Sequence, residues 1–373
     1  MTGSKTRKKR IKLGPVRIFL LLLWPIAGII LLWARHSEAF AEQVYARGIY
    51  PLYHKLLSLL PECLPFSLGE MLLYAVCVFA LIAVCVWFLH IIIRKGQRWR
   101  VFLSGILNTL CALGLVFALF VFGCGINYYR TSYAEAAGLE VRQSTQEELY
   151  AMCLDLAGKA AALREDLTAY EDANGVFTLP WAYDEAARQA MTELGNAEEM
   201  LKFSYPRPKS VLLSRGMSYF GIVGVYSPFT GEANVNTDTT DYTIPAAMCH
   251  ELCHTAGIMR EDEANYLAYR ACTRHGDEIL AYSGTMMALT YSANALRRAN
   301  PDLYAEVTAE FSDAMWRDLA ANSAYWDQFE DTVTQEIGEQ VNDTYLKANN
   351  QTTGTQSYGA MVDLLLAEYR AEH

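Results

Sequence analysis

Regularly spaced cysteines are missing from this chain. Nine cysteines are scattered over 373 residues, an odd number without a repeating interval, which argues against the disulfide framework of a small secreted domain. A Cys253–Cys272 bridge is left open by the sequence. Cys249 and Cys253 flank two histidines on other helix faces and read as buried apolar residues. The second half has no cluster of Lys and Arg and no nucleic-acid motif, so nucleic acid is not an expected partner. Histidine is scarce as well, with seven in the whole chain. Two of these fall within one pentapeptide.

Charge is divided unevenly along the chain. Residues 1–125 hold 14 Lys/Arg against 4 Asp/Glu, a surplus of +10, whereas residues 126–373 hold 17 against 37, a deficit of −20. The basic part contains three apolar runs, at about 18–34, 71–93 and 101–124. Each is long enough, or nearly so, to cross a hydrocarbon layer about 30 Å thick at about 1.5 Å per residue. We therefore expect three transmembrane helices in residues 1–125 and an extracytoplasmic domain in 126–373. The alternative for the first run is a signal sequence ending near Ala39-Phe40-Ala41. Seven Lys/Arg precede the first run, and Arg94, Lys95, Arg98 and Arg100 join the second to the third. By the positive-inside rule both segments are cytoplasmic and the rest of the chain lies outside a cell membrane. The 35–70 stretch, rich in Leu, Tyr and Pro, reads as an amphipathic piece on the outer surface of the bilayer.

Beyond the apolar runs the pattern is mostly helical with a small sheet, an α+β domain. Ser144-Thr145-Gln146-Glu147 reads as a capping box before a helix to about Tyr170, and a second helix covers 182–203. This pair is expected to pack on the motif helix or to form a stalk. Val211–Ser214 and Gly221–Tyr226 read as strands, and Ser227–Gly231 as a turn into 232–236, to which we assign the pairing of an extended peptide, with a structural hairpin covering the core as the alternative. Helices are expected at 244–256 and from 261, then near Asp277–Arg297, Pro301–Trp326, Gln328–Lys347 and Ala360–Ala371.

The centre of the sequence is His250-Glu251-Leu252-Cys253-His254, an H-E-x-x-H motif. About 0.01 chance matches are expected in a chain of this size and composition. Side chains four apart share a helix face, so both imidazoles can reach one zinc ion. Glu251 lies about 100° round the helix and is free to take a proton from a metal-bound water. Gly257 can end the helix in the left-handed conformation, and Arg260-Glu261-Asp262-Glu263 reads as the acidic first turn of the next. Such a corner brings Glu261 near His254 and Asn265 near His250. Glu261 becomes the third ligand and Asn265 the residue that orients His250, leaving an open fourth position for water. Asp262 and Glu263 point elsewhere on the same helix.

H-E-x-x-H followed by Glu261-Asp262-Glu263-Ala264-Asn265 is similar to the zincin peptidases of the glutamate-ligand type, which again implies Glu261 as third ligand. The whole stretch, with Ser357–Leu366 and the three apolar runs, resembles a family of bacterial multi-pass membrane proteins known as domain of unknown function 3810. The resemblance implies a zincin-like site outside the membrane and brings no substrate. Within the shared C-terminal segment Tyr358 is the favoured oxyanion donor, with Tyr226, Tyr266 and His275 as alternatives.

The sequence thus leads to a membrane-anchored zinc metallopeptidase acting on a peptide or protein substrate. Its rival is a non-catalytic zinc-binding scaffold or sensor that binds a peptide or envelope partner. An intramembrane protease fits poorly, because Asn236–Tyr242, just before the motif, is too polar for lipid.

Overall fold

The computed structural model describes residues 13–180, 182–330, 334, 338, 340 and 359–373. It is mostly helical, with one small mixed sheet. Three long apolar helices, α1 (Pro15–His36), α3 (Leu68–Ile93) and α4 (Arg98–Gly123), flank a π-helical stretch at Phe40–Ile49 and helix α2 (Tyr50–Glu62). After them come α5 (Tyr133–Ala137), α6 (Gln146–Asp166) and α7 (Asp184–Ala197), then β1 (Lys209–Ser210), α8 (Ser214–Ser218), β2 (Gly224–Ser227) and β3 (Glu232–Val235). Helices α9 (Ile244–Thr255), α10 (Glu261–Arg274), α11 (Glu278–Ala299), α12 (Pro301–Ala309), α13 (Asp313–Asp327) and α14 (Ala360–Glu372) complete the described chain.

Helix starts follow local chemistry. Thr145 caps α6 and shares a reciprocal capping box with Glu148. The sequence holds two overlapping S/T-x-x-E frames here, and the fold uses the one a residue later than Ser144-x-x-Glu147. Asp277 caps α11, and Asn300 caps α12 ahead of Pro301. The single helix expected over Pro301–Trp326 is two, because Ser312 caps a new start by accepting from Met315 N–H. Most of the helix expected at Gln328–Lys347, and Tyr358 with it, lie outside the described residues.

The main core lies between α6, α7, α9, α10, α11 and α14. Helix α7 packs on α9 and α10, and α6 packs on α11, so the pair expected as packing partner or stalk is built into this core. At its floor Asp318 accepts from Arg164 Nε at 2.7 Å, Phe177 N–H at 2.8 Å and Tyr282 Oη at 2.7 Å. A buried carboxylate needs such complete pairing. All nine cysteines are free, so Cys253 and Cys272 are not bridged.

In the sheet the order is β1-β3-β2, with β1 parallel and β2 antiparallel to β3. Three strand expectations change, the first being Gly221–Tyr226, where the strand runs instead from Gly224 to Ser227. Val211–Ser214 is not a strand: pairing stops at Ser210, and Ser214 opens α8. Residues 232–236 cannot receive a peptide, because β3 is the central strand and every residue in it is buried. The edge strands are β1 and β2, and β2 is the one that lies against Glu251 of α9.

The apolar helices are joined to this core at several points. Tyr50 Oη donates to Thr255 O at 2.9 Å, and Tyr226 Oη donates to Gly123 O at 3.1 Å. Arg130 reaches from Glu42 (Nε to Oε2, 2.9 Å) to Ala256 O (3.1 Å). Helix α2 turns Tyr50 and His54 inward and leaves Leu52, Leu56, Leu59 and Leu60 exposed. Buried His54 donates from Nε2 to Gly231 O at 3.0 Å, and burial pushes its pKa down to about 4.

Candidate metal centre

Helix α9 begins at Ile244-Pro245, with proline where a missing N–H is harmless. It ends in a Schellman motif. Gly257, at φ +84°, donates its N–H to His254 O at 3.0 Å, and Ile258 N–H bonds back to Cys253 O at 3.1 Å. A Cβ on Gly257 would also sit 2.9 Å from Asn127 Nδ2, so the corner requires glycine for two reasons.

The same motif orients a ring. Ile258 O accepts from His254 Nδ1 at 2.7 Å, which places the proton on Nδ1 and leaves the Nε2 lone pair facing the centre. There it lies 3.0 Å from His250 Nε2 and 3.6 Å from Glu261 Oε1, while Glu261 Oε2 is 3.3 Å from His250 Nε2. Three donor atoms lie within 4.8 Å of one another. Ligands at about 2.0–2.1 Å in tetrahedral array are separated by about 3.3 Å, so the set has the spacing a zinc ion needs. The side chains of His250 and Glu261 are 13% and 19% exposed, enough to be reached from solvent.

The two rings and the Glu261 carboxylate shift one another's titration. Burial opposes charge on Glu261, yet His254 and His250 hold its carboxyl down at about 2. Burial also opposes charge on His250, and the Glu261 carboxylate outweighs it, raising the ring to about 9. His254 is lowered by burial. Asn265 is buried beside His250 as expected and favours its charged form, but its Nδ2 and His250 Nδ1 have no hydrogen-bond partner among the described residues. Glu263 points away, accepting from Tyr133 N–H and Arg260, and burial raises it to about 7.

Glu251 stands beside the set, and burial pushes it up to about 8. Its Oε2 is buried without a hydrogen-bond partner among the described residues, a costly arrangement unless another group arrives there. Its other side is filled by β2. A Cβ on Gly224 would lie 2.4 Å from Glu251 Oε1, and Tyr226 N–H faces the carboxylate. Neither contact was found in the sequence. A glycine inside a strand was the available sign of a close approach.

Of the alternative oxyanion donors, Tyr226 is turned to Gly123, Tyr266 is buried against Tyr133 and Arg270, and His275 is bound to Glu193 at 2.6 Å. None of the three faces the centre.

A family model described as a protein of unknown function, DUF3810, matches residues 45–366. The chain belongs to this family. The matched stretch takes in α3, α4, the sheet and every residue of the candidate centre. No curated protein and no solved structure matches the chain.

Proposed function

We propose that the chain is a membrane-anchored zinc metallopeptidase that hydrolyses peptide bonds on the outer side of the membrane. The observation that carries this reading is the convergence of His250, His254 and Glu261 beside a Glu251 oxygen that has no hydrogen-bond partner among the described residues. Two imidazoles and a carboxylate suit zinc with a fourth position open. A bound zinc ion supplies Lewis-acid polarisation of water and of the scissile carbonyl. Glu251 accepts the proton of the attacking water on Oε2 and delivers it to the leaving amine. Removal from water makes it a stronger base than an exposed glutamate.

Substrate is held by the outer edge of β2. Asn236 N–H bonds to Val223 O, so with a period of two the backbone groups of Gly224 and Tyr226 face away from β3; Tyr226 N–H is turned to Glu251, and Gly224 N–H and O with Tyr226 O are the groups offered to a peptide. An extended peptide paired on that edge passes the Glu251 carboxylate.

Anchoring rests on the three helices long and apolar enough to cross a membrane. Residues 71–93 of α3 include no buried position, and such a surface needs an apolar medium. The exposed leucines of α2 suit the bilayer interface, and the Lys/Arg before α1 and between α3 and α4 suit the cytoplasmic side. The test is a peptide-library digest by the purified full chain. Cleavage should stop with a zinc chelator and return with added zinc. No cleavage, or cleavage indifferent to chelation, contradicts the proposal.

A further inference from the structure

The turn between β2 and β3 is seated on the ends of two apolar helices. A Cβ on Gly123, the last residue of α4, would meet Pro228 O at 2.3 Å, and one on Gly69, in the first turn of α3, would meet Thr230 Oγ1 at 3.1 Å. Glu232 accepts from Leu68 and Gly69 N–H at 2.9 and 2.7 Å, and Glu70 accepts from Leu212 and Leu213 N–H, each at 2.9 Å. These contacts set the height of the metal centre. Gly224 touches Glu251 and Pro228 touches the end of α4, and the extended chain between them spans on the order of 13 Å. The headgroup layer on one side of the hydrocarbon is about 5–7 Å thick, so this span crosses it and the centre stands just beyond.

The stretch that covers this height is apolar, and among the described residues it is largely exposed, with Gly338 approaching it at Phe220 O. Between Val211 and Phe229 the one charged residue is Arg215, whose guanidinium is turned to Asp238 and Gln328. Leu212 is 77% exposed, Leu213 56%, Val225 49%, Val223 43% and Ile222 39%. Exposed apolar strips of this kind mark an interaction surface. Continuity says what covers it: Leu212 and Leu213 are bonded to the first turn of α3, and Lys209 Nζ donates to Pro61 O at 2.8 Å, at the end of the leucine-faced α2.

We infer that the strip from Leu212 to Val225 lies in the interfacial layer of the outer leaflet, and that the β2 edge takes its peptide from the bilayer surface. The substrate class is then the juxtamembrane stretch of a polypeptide held by an apolar anchor. The substrate class rests on the hydrolase reading, whereas the seat of the strip does not.

The test uses the full chain in vesicles of phosphatidylethanolamine and phosphatidylglycerol. With Cys63, Cys77 and Cys85 replaced by serine, nitroxides are placed at Leu213→Cys, at Val223→Cys and, as a water-facing control, at Asn174→Cys. The first two should be relaxed by oxygen and shielded from a water-soluble nickel chelate, and the control the reverse. In parallel a randomised peptide library is offered free and with an amino-terminal palmitoyl chain. The palmitoylated form should be cleaved with at least about tenfold higher kcat/KM, through its higher local concentration at the site. A Leu213→Asp/Val223→Asp variant should lose that preference. Nickel exposure at both strip positions overturns the whole inference. A shielded strip with equal rates overturns the substrate class. A shielded strip with no cleavage of either form removes the hydrolase reading, and the substrate class with it, while supporting the membrane seat.

Discussion

Glu251→Gln is expected to lower hydrolysis by about a hundredfold to ten-thousandfold, the range for losing a general base, while zinc content stays at that of the unaltered chain. Glutamine has nearly the same shape, and it can remain against Gly224 and Tyr226. Its amide cannot accept the proton of water. Because His250, His254 and Glu261 are untouched, the variant separates chemistry from metal binding. The two readouts are kcat/KM and metal content of the same preparation. Unchanged activity would remove Glu251 from the mechanism, and lost zinc would show that the substitution had disturbed the ligands instead.

Gly224→Val should have an effect of similar kind by a different route. Already its Cβ would fall 2.4 Å from Glu251 Oε1 and 2.6 Å from Cγ, closer than side chains approach one another. Either the carboxylate leaves its place or β2 moves off α9. Displacement of about 1 Å at a reacting group costs on the order of a hundredfold. The strain of overpacking adds about 1–3 kcal/mol of destabilisation, which a thermal melt reads separately. Gly158→Ala on α6 has nothing within 4 Å and serves as the control: it should leave activity unchanged and raise the melt slightly, since alanine is favoured over glycine inside a helix by about 0.5–1 kcal/mol. Retained activity in Gly224→Val would mean that β2 does not hold the base.

The convergence of His250, His254 and Glu261 was legible because its parts are local. His250 and His254 are one helical turn apart, and Gly257 and the acidic start of α10 fix the corner that returns Glu261 to them. Helical spacing carries no information about contacts across the fold. That is why Gly224 against Glu251, Tyr50 on Thr255 O and Arg130 on Ala256 O were not found. Strand order failed for the same reason: nothing in Glu232–Val235 announces neighbours on both sides. Val211–Ser214 misled in another way. Its leucines look like strand residues facing a core, yet they are exposed beside the first turn of α3. The extra break before Asp313 was visible as Ser312, a cap overlooked inside a long helical pattern.

Metal analysis of the purified full chain, beside Glu261→Ala, tests the central claim most directly. The account predicts about one zinc ion per unaltered chain, held with an open position, and a sharp loss of zinc affinity when the Glu261 carboxylate is removed. An unaltered chain that takes up no zinc, or a Glu261→Ala chain that holds it equally well, would contradict it.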